Sequence, residues 1–201
     1  MTPSTDTCDA GVIHGRFQML HNDHVQYLLA GKARCRHLIV GITNPEPSMT
    51  QAEDADPQRS TPLANPFTYY ERNQFVRSAL VEAGVALSNF SIVPLPISEP
   101  SRYHNYVPLD AVFFLSIYDD WGRRKKDYFE SIGLKTFVLR DVTPDEKGIS
   151  ATDIRASMLR GEPWAHLVPQ PVATLVEQWN LAQRLGEIQS RLGIDEGYGE
   201  Q

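Results

Sequence analysis

The chain has 201 residues, 41% hydrophobic and 22% charged, with a formal net charge of -6. That is an ordinary globular composition, with room for one well-cored domain plus elaborations. It excludes several classes: the acidic balance argues against general nucleic-acid binding, and no apolar run reaches membrane-spanning length. The only cysteines, Cys8 and Cys35, lack paired metal-ligand spacing, so neither a disulfide framework nor a zinc site is indicated. Residues 1–9 have neither the basic nor the apolar region of a signal peptide. A disordered N-terminus and a cytoplasmic location are therefore expected.

In chain order, Ala10 to Ile13 reads as a buried first strand. Val25 to Ala30 has the apolar spacing of a helix, with Asn22 or Asp23 available as its cap. Between them stands Gly15-Arg16-Phe17-Gln18-Met19-Leu20-His21-Asn22-Asp23-His24. A strand-to-helix junction of an open α/β sheet binds anions, because helix N–H groups are unpaired there and the helix dipole favours negative charge. Gly15 would let the backbone approach a phosphate and Arg16 would bring a cation beside it. His21 and His24, three residues apart, can face one bound group, although two histidines at a helix start can also simply cap and pack.

His37 to Thr43 is a second buried strand. Residues 44–66, rich in Pro, Ser, Asp, Glu and Gln, have no periodicity and read as a mobile flap or a disordered insert. A helix opens near Asn65 and runs to Gly84. Three further strands follow at Phe90 to Leu95, Ala111 to Ser116 and Thr136 to Arg140, with a helix starting near Trp121. Gly148-Ile149-Ser150-Ala151-Thr152-Asp153-Ile154-Arg155 then opens another helix: its hydroxyls can cap, and Arg155 can pair bidentately with phosphate. The last helix is expected from Val172 to about Leu192, with 193–201 frayed. Regular strand–helix alternation implies an α/β fold with a doubly wound parallel sheet in a single domain over 10–192.

The stretch from Gly15 to His24 resembles the Gly-x-Phe-x-Pro-x-His-x-Gly-His signature of the HxGH nucleotidylyltransferases. Met19 stands in place of the usual Pro, and Asp23 in place of Gly. Residues 149–155 resemble the family's second signature, Ile-Ser-x-Thr-x-x-Arg, at the expected distance downstream. Asn65-Pro66-Phe67-Thr68-x-x-Glu71-Arg72 and the 158–169 tail are similar to archaeal-type nicotinamide mononucleotide (NMN) adenylyltransferases. In all, the resemblance spans about residues 10 to 180.

The resemblance implies a Rossmann-like fold and transfer of a nucleoside monophosphate from a triphosphate to an acceptor, with release of pyrophosphate. His21, His24 and Arg155 would be catalytic. Gly15, Arg16, Phe17, Ser150 and Thr152 would surround the phosphates, and Lys32 could reach them or be solvated. Mg2+ would arrive on the triphosphate, with no protein cage, although Asp23 could touch its shell. Glu71 and Arg72 would be framework residues or an exposed ion pair. A homo-oligomer is expected by analogy.

For the acceptor, the Ser-Gly-Asn and Trp of the NMN enzymes are replaced by Ser116-Ile117-Tyr118 and Arg102-Tyr103-His104-Asn105. Tyr103, Tyr118 or Trp121 could stack a ring instead. Arg123, Arg124, Lys125 and Lys126 are either a solvated helix face or a pocket for a small, highly charged acceptor without a ring. The second option resembles divergent relatives in phosphonate biosynthesis, the phosphonoformate cytidylyltransferases, and clustered cations favour it over NMN adenylylation from ATP. A non-catalytic nucleotide sensor is the alternative of a different class, motivated by Met19 and Asp23.

Overall fold

The computed structural model describes residues 7–47, 60–143 and 148–193. Its five strands, β1 (Cys8–Gly15), β2 (Cys35–Thr43), β3 (Phe90–Leu95), β4 (Val112–Ile117) and β5 (Lys135–Asp141), form one parallel sheet in the order β3-β2-β1-β4-β5. From β1 the chain winds outward to β3, then returns to β4 on the other side of β1. Loops leaving β1 and β4 therefore diverge to opposite faces, and a crevice opens between the strand ends.

Among the described residues, six α-helices cover the sheet: α1 (Asn22–Lys32), α2 (Tyr69–Glu82), α3 (Asp120–Ser131), α4 (Ala151–Leu159), α5 (Gln170–Gln178) and α6 (Leu181–Arg191). Strand side chains alternate between faces, so neighbouring residues enter different cores. Ile13, Leu38 and Phe114 pack with Leu28, Phe75, Ile154, Val172 and Leu185 of the larger helical layer. Val12, Ile39 and Phe113 pack on the opposite face with Tyr103, Phe129 and Leu134, beneath α3 and a 3-10 turn at Pro100–Asn105. Each such side chain contributes about 1.5–3 kcal/mol by leaving water. With both faces covered, the strand ends that carry the crevice are held in place.

Several boundaries differ from the sequence expectation. β1 takes in Cys8 and Asp9, expected to be disordered, because Cys8 pairs with Cys35 of β2. α2 begins at Tyr69 and not near Asn65: Pro66 disfavours helical geometry in the residue before it, and Thr68 with Glu71 closes a reciprocal cap. The single final helix is two, because Asn180 adopts a left-handed φ of 52° between α5 and α6. Residues 48–59 of the expected flap lie outside the described residues, as do 1–6, 144–147 and 194–201. Among the described residues, no helix is long and apolar enough to cross a membrane.

Candidate active site

Between Gly15 and His21 the chain must turn from the sheet into α1 within a few residues. Phe17 makes the turn with a left-handed φ of 52°, which is uncommon for a bulky side chain. Its buried ring then lies beneath the turn, edge-on to His24 at 5.3 Å. A Cβ on Gly15 would stand 2.9 Å from that ring, so the glycine is required for clearance. Met19, in the position of the family's Pro, is fully buried in the larger core.

The α1 cap is His21, in place of the expected Asn22 or Asp23. Its Nδ1 accepts the His24 backbone N–H at 3.4 Å. In a neutral ring this leaves the proton on Nε2, so His21 offers a donor. The His21 and His24 rings stack at 3.7 Å between centroids. Burial lowers His21 to about 4, against the opposing pull of Asp23, and burial with the neighbouring His21 holds His24 well below 6.5. Both are neutral at pH 7. Asn22 donates to the His166 carbonyl, and Asp23 accepts the Ile149 N–H at 2.7 Å.

Buried polar groups hold this turn against its neighbours. Gln18 pairs with both backbone groups of Phe67, at 2.9 and 3.0 Å. Arg72, 2% exposed, donates to the carbonyls of Arg16, Thr43 and Asn44, and so ties the end of β1 to the end of β2. Glu71 is bound by Arg184 of α6 through two bonds, at 2.6 and 2.8 Å. Both act as framework residues, and neither belongs to an exposed Glu71–Arg72 pair.

On the second signature, Ser150 caps α4 by accepting the Thr152 N–H at 3.2 Å. Arg155 is buried, and its guanidinium donates to Gln18 O and to Thr152 Oγ1. Burial, then the charge of Arg16, lowers Arg155 to about 10, so it stays cationic at neutral pH. The two signatures, more than a hundred residues apart in sequence, therefore meet directly.

They form one side of a cavity of about 630 Å³ over the β1 and β4 ends. Gly15, Arg16, Phe17, His21 and His24 line it, together with Ser150, Thr152 and Arg155. From the β4 side come Ser116, Tyr118, Asp119, Trp121 and Lys125, and from β5 Arg140. Asp119 caps α3 by accepting the Gly122 N–H at 2.8 Å. Tyr27 donates to the Phe114 carbonyl at 2.7 Å beside these residues.

Four expected site residues fall elsewhere. Lys32 is the last residue of α1, the opposite end from the histidines, and its ammonium donates to Cys35 O and Arg36 O. Tyr103 is a core residue, 1% exposed, with its hydroxyl donating to Ile97 O. Arg123 pairs with Asp141 on the surface, and Arg124 is exposed and absent from the cavity lining. Helical spacing turns only Lys125 of the run inward, with its ammonium 4.9 Å from the Trp121 ring centroid. Sequence reasoning also missed His14, whose signal was a histidine inside an apolar strand, and Arg140, an arginine at a strand end. Among the described residues, no group of three or more His, Cys, Asp or Glu side chains is placed to hold a metal ion.

The family described as Cytidylyltransferase-like matches residues 12–157. A protein of Streptomyces viridochromogenes named phosphonoformate cytidylyltransferase is 49% identical over 175 residues, 87% of this chain and 94% of that one. The nicotinamide-nucleotide adenylyltransferase of Thermococcus kodakarensis is 29% identical over 192 residues, 92% of each chain. Two structures of a bifunctional NMN adenylyltransferase/ADP ribose pyrophosphatase from Francisella tularensis share the fold, with TM-scores of 0.64 and 0.59 at 15% identity. They are matched over 97% of this chain but only 59% and 58% of their own length.

Proposed function

The chain belongs to the cytidylyltransferase-like family, and on that premise we propose that it activates a small phosphonate with CTP, releasing pyrophosphate. It is a nucleotidyltransferase, as its relatives are. The choice of acceptor is carried by one observation: the 49% identity, over nearly the whole of both chains, to a protein named for phosphonoformate.

In the proposed reaction a phosphonate oxygen of the acceptor attacks the α-phosphorus in line. As that bond forms, the bond to the bridging oxygen of pyrophosphate breaks, and its electron pair leaves with pyrophosphate. No covalent enzyme intermediate is needed, so the protein's part is positioning and charge stabilisation. His21, with its proton on Nε2, and His24 donate to phosphate oxygens from the mouth of α1, where the helix dipole adds to the attraction. Their neutrality suits donation to an anion that brings its own cation. Arg16 and Arg155 face the outer phosphates, and Ser150 and Thr152 lie beside them. Mg2+ would ride on the triphosphate and neutralise part of its charge.

Phosphorus NMR of a reaction containing CTP, Mg2+ and phosphonoformate tests this reading. A new phosphonate–phosphate anhydride appearing with pyrophosphate supports it. Unchanged phosphonoformate, in a protein that makes a dinucleotide from ATP and NMN, would replace it with NMN adenylylation.

A further inference from the structure

We propose that His14 and Lys125 form a subsite for the carboxylate that the acceptor carries beside its reacting phosphonate. The proposal rests on the cytidylyl-transfer reading above and gives the acceptor's second charged group a place.

His14 is a buried polar side chain near the end of β1 that the transfer chemistry does not use. It shares a strand face with Val12, two residues earlier, and so looks toward α3 and away from the histidine pair on α1. The residue is 9% exposed and lines the cavity, yet neither ring nitrogen has a hydrogen-bond partner among the described residues. Buried polar atoms are nearly always satisfied, so such a ring marks where a bound group belongs. The Phe129 ring, 5.4 Å away and tilted by 51°, supports it from below. A turn of the imidazole about its own axis would bring one nitrogen to the cavity, and no hydrogen bond to a described residue opposes it.

Lys125 supplies the charge. It sits one turn before Phe129 on α3, half-buried, and its ammonium lies over the Trp121 ring and 6.0 Å from the Phe129 ring. Its charge reaches His14, where it adds to burial in keeping the imidazole neutral. A neutral imidazole can donate one N–H to a carboxylate oxygen while the ammonium balances the charge.

Three alternatives fit less well. A nucleobase can accept from the ammonium but, being neutral, would not balance its charge. The triphosphate meets its cations, Arg16 and Arg155, on the other side of the crevice. A pyridine ring would need the face of Trp121 that Lys125 covers.

Two variants test the assignment: His14→Leu, which keeps volume but removes both nitrogens, and Lys125→Met on the half-buried helix surface. Titration calorimetry with phosphonoformate, methylphosphonate and CTP separately reads each side of the crevice, and pyrophosphate release gives KM and kcat. Both variants are expected to weaken phosphonoformate about tenfold or more, while methylphosphonate and CTP change by less than about twofold. His14→Gln, which restores a donor, should recover part of the loss. Equal phosphonoformate affinity in wild type and Lys125→Met overturns the subsite, whether or not His14→Leu folds, and leaves the cytidylyl-transfer reading intact. An equal loss of CTP affinity also overturns it. Carboxylate-dependent binding that the variants abolish, in a wild type that releases no pyrophosphate, supports the subsite and removes the proposed reaction.

Discussion

The Asp23 carboxylate accepts the backbone N–H of Ile149 at 2.7 Å, joining the first turn of α1 to the loop that opens α4. This accounts for a carboxylate beside the proposed phosphate site: its Oδ2 is directed to the loop, where it links the histidine signature to the Ser150–Arg155 signature. Gly148 makes room for it. With φ at +39°, a Cβ on Gly148 would stand 2.1 Å from Asp23 Oδ2.

Asp23→Ala should raise the triphosphate KM about tenfold, the equivalent of one charge-assisted hydrogen bond, with kcat less affected. Gly148→Ala should be worse, through strain as well as the clash. In the double variant the clash is gone, so the two effects should be less than additive in steady-state kinetics. Strict additivity would mean that the contact does not couple the signatures.

His24→Ala removes a donor at the proposed phosphate site without removing a cap, since the cap is the His21 side chain. Turnover should fall about 10²–10³-fold, as for loss of one donor to developing charge, with a near-normal thermal melt. Near-normal turnover would take the histidine pair out of the chemistry.

Replacing Arg123 and Arg124 together with Ala should leave acceptor KM unchanged. Arg123 is an exposed partner of Asp141, and such pairs are worth about 0–1 kcal/mol. An acceptor KM raised about tenfold would return these arginines to the site.

Acid should destabilise the unliganded protein earlier than carboxylate titration alone would. In the unfolded chain His14, His21 and His24 titrate near about 6.5. Folded, His21 is lowered to about 4, and the other two lie well below 6.5. Between pH 6.5 and 4 the unfolded chain therefore binds protons that the native chain does not. The stability is full above 6.5 and is lost as pH falls through that window. The melting temperature should drop across it, and His21→Asn should show a smaller slope than wild type. Identical slopes would mean that His21 is not buried as a neutral ring.

Much of this molecule was legible because its physics is local. Strand–helix alternation gave the parallel sheet, and apolar runs placed all five strands within about two residues. The two signature stretches stood out because each contains a strand or loop end, a cap and a charged group at fixed spacing, and the structure brings them to one cavity. What was not legible depends on tertiary contact. Tyr103 looked like a stacking residue, but the Phe113–Phe129 cluster buries it. The Arg123–Lys126 run could be read as a solvated helix face or as a charged pocket, and helix geometry and Asp141 divide it so that one member faces the cavity. Lys32 could not be placed without knowing that α1 ends at it. The break at Asn180 depends on one left-handed residue, and it lets α6 bring Arg184 to Glu71, a contact 113 residues apart.

The most direct test of the central claim is pyrophosphate release over a grid of ATP and CTP, each with NMN, nicotinate mononucleotide and phosphonoformate, in Mg2+. Release is expected from CTP with phosphonoformate and none from ATP with either pyridine nucleotide. Release only from ATP with a pyridine nucleotide would contradict it and place the chain with its NMN-dependent relatives.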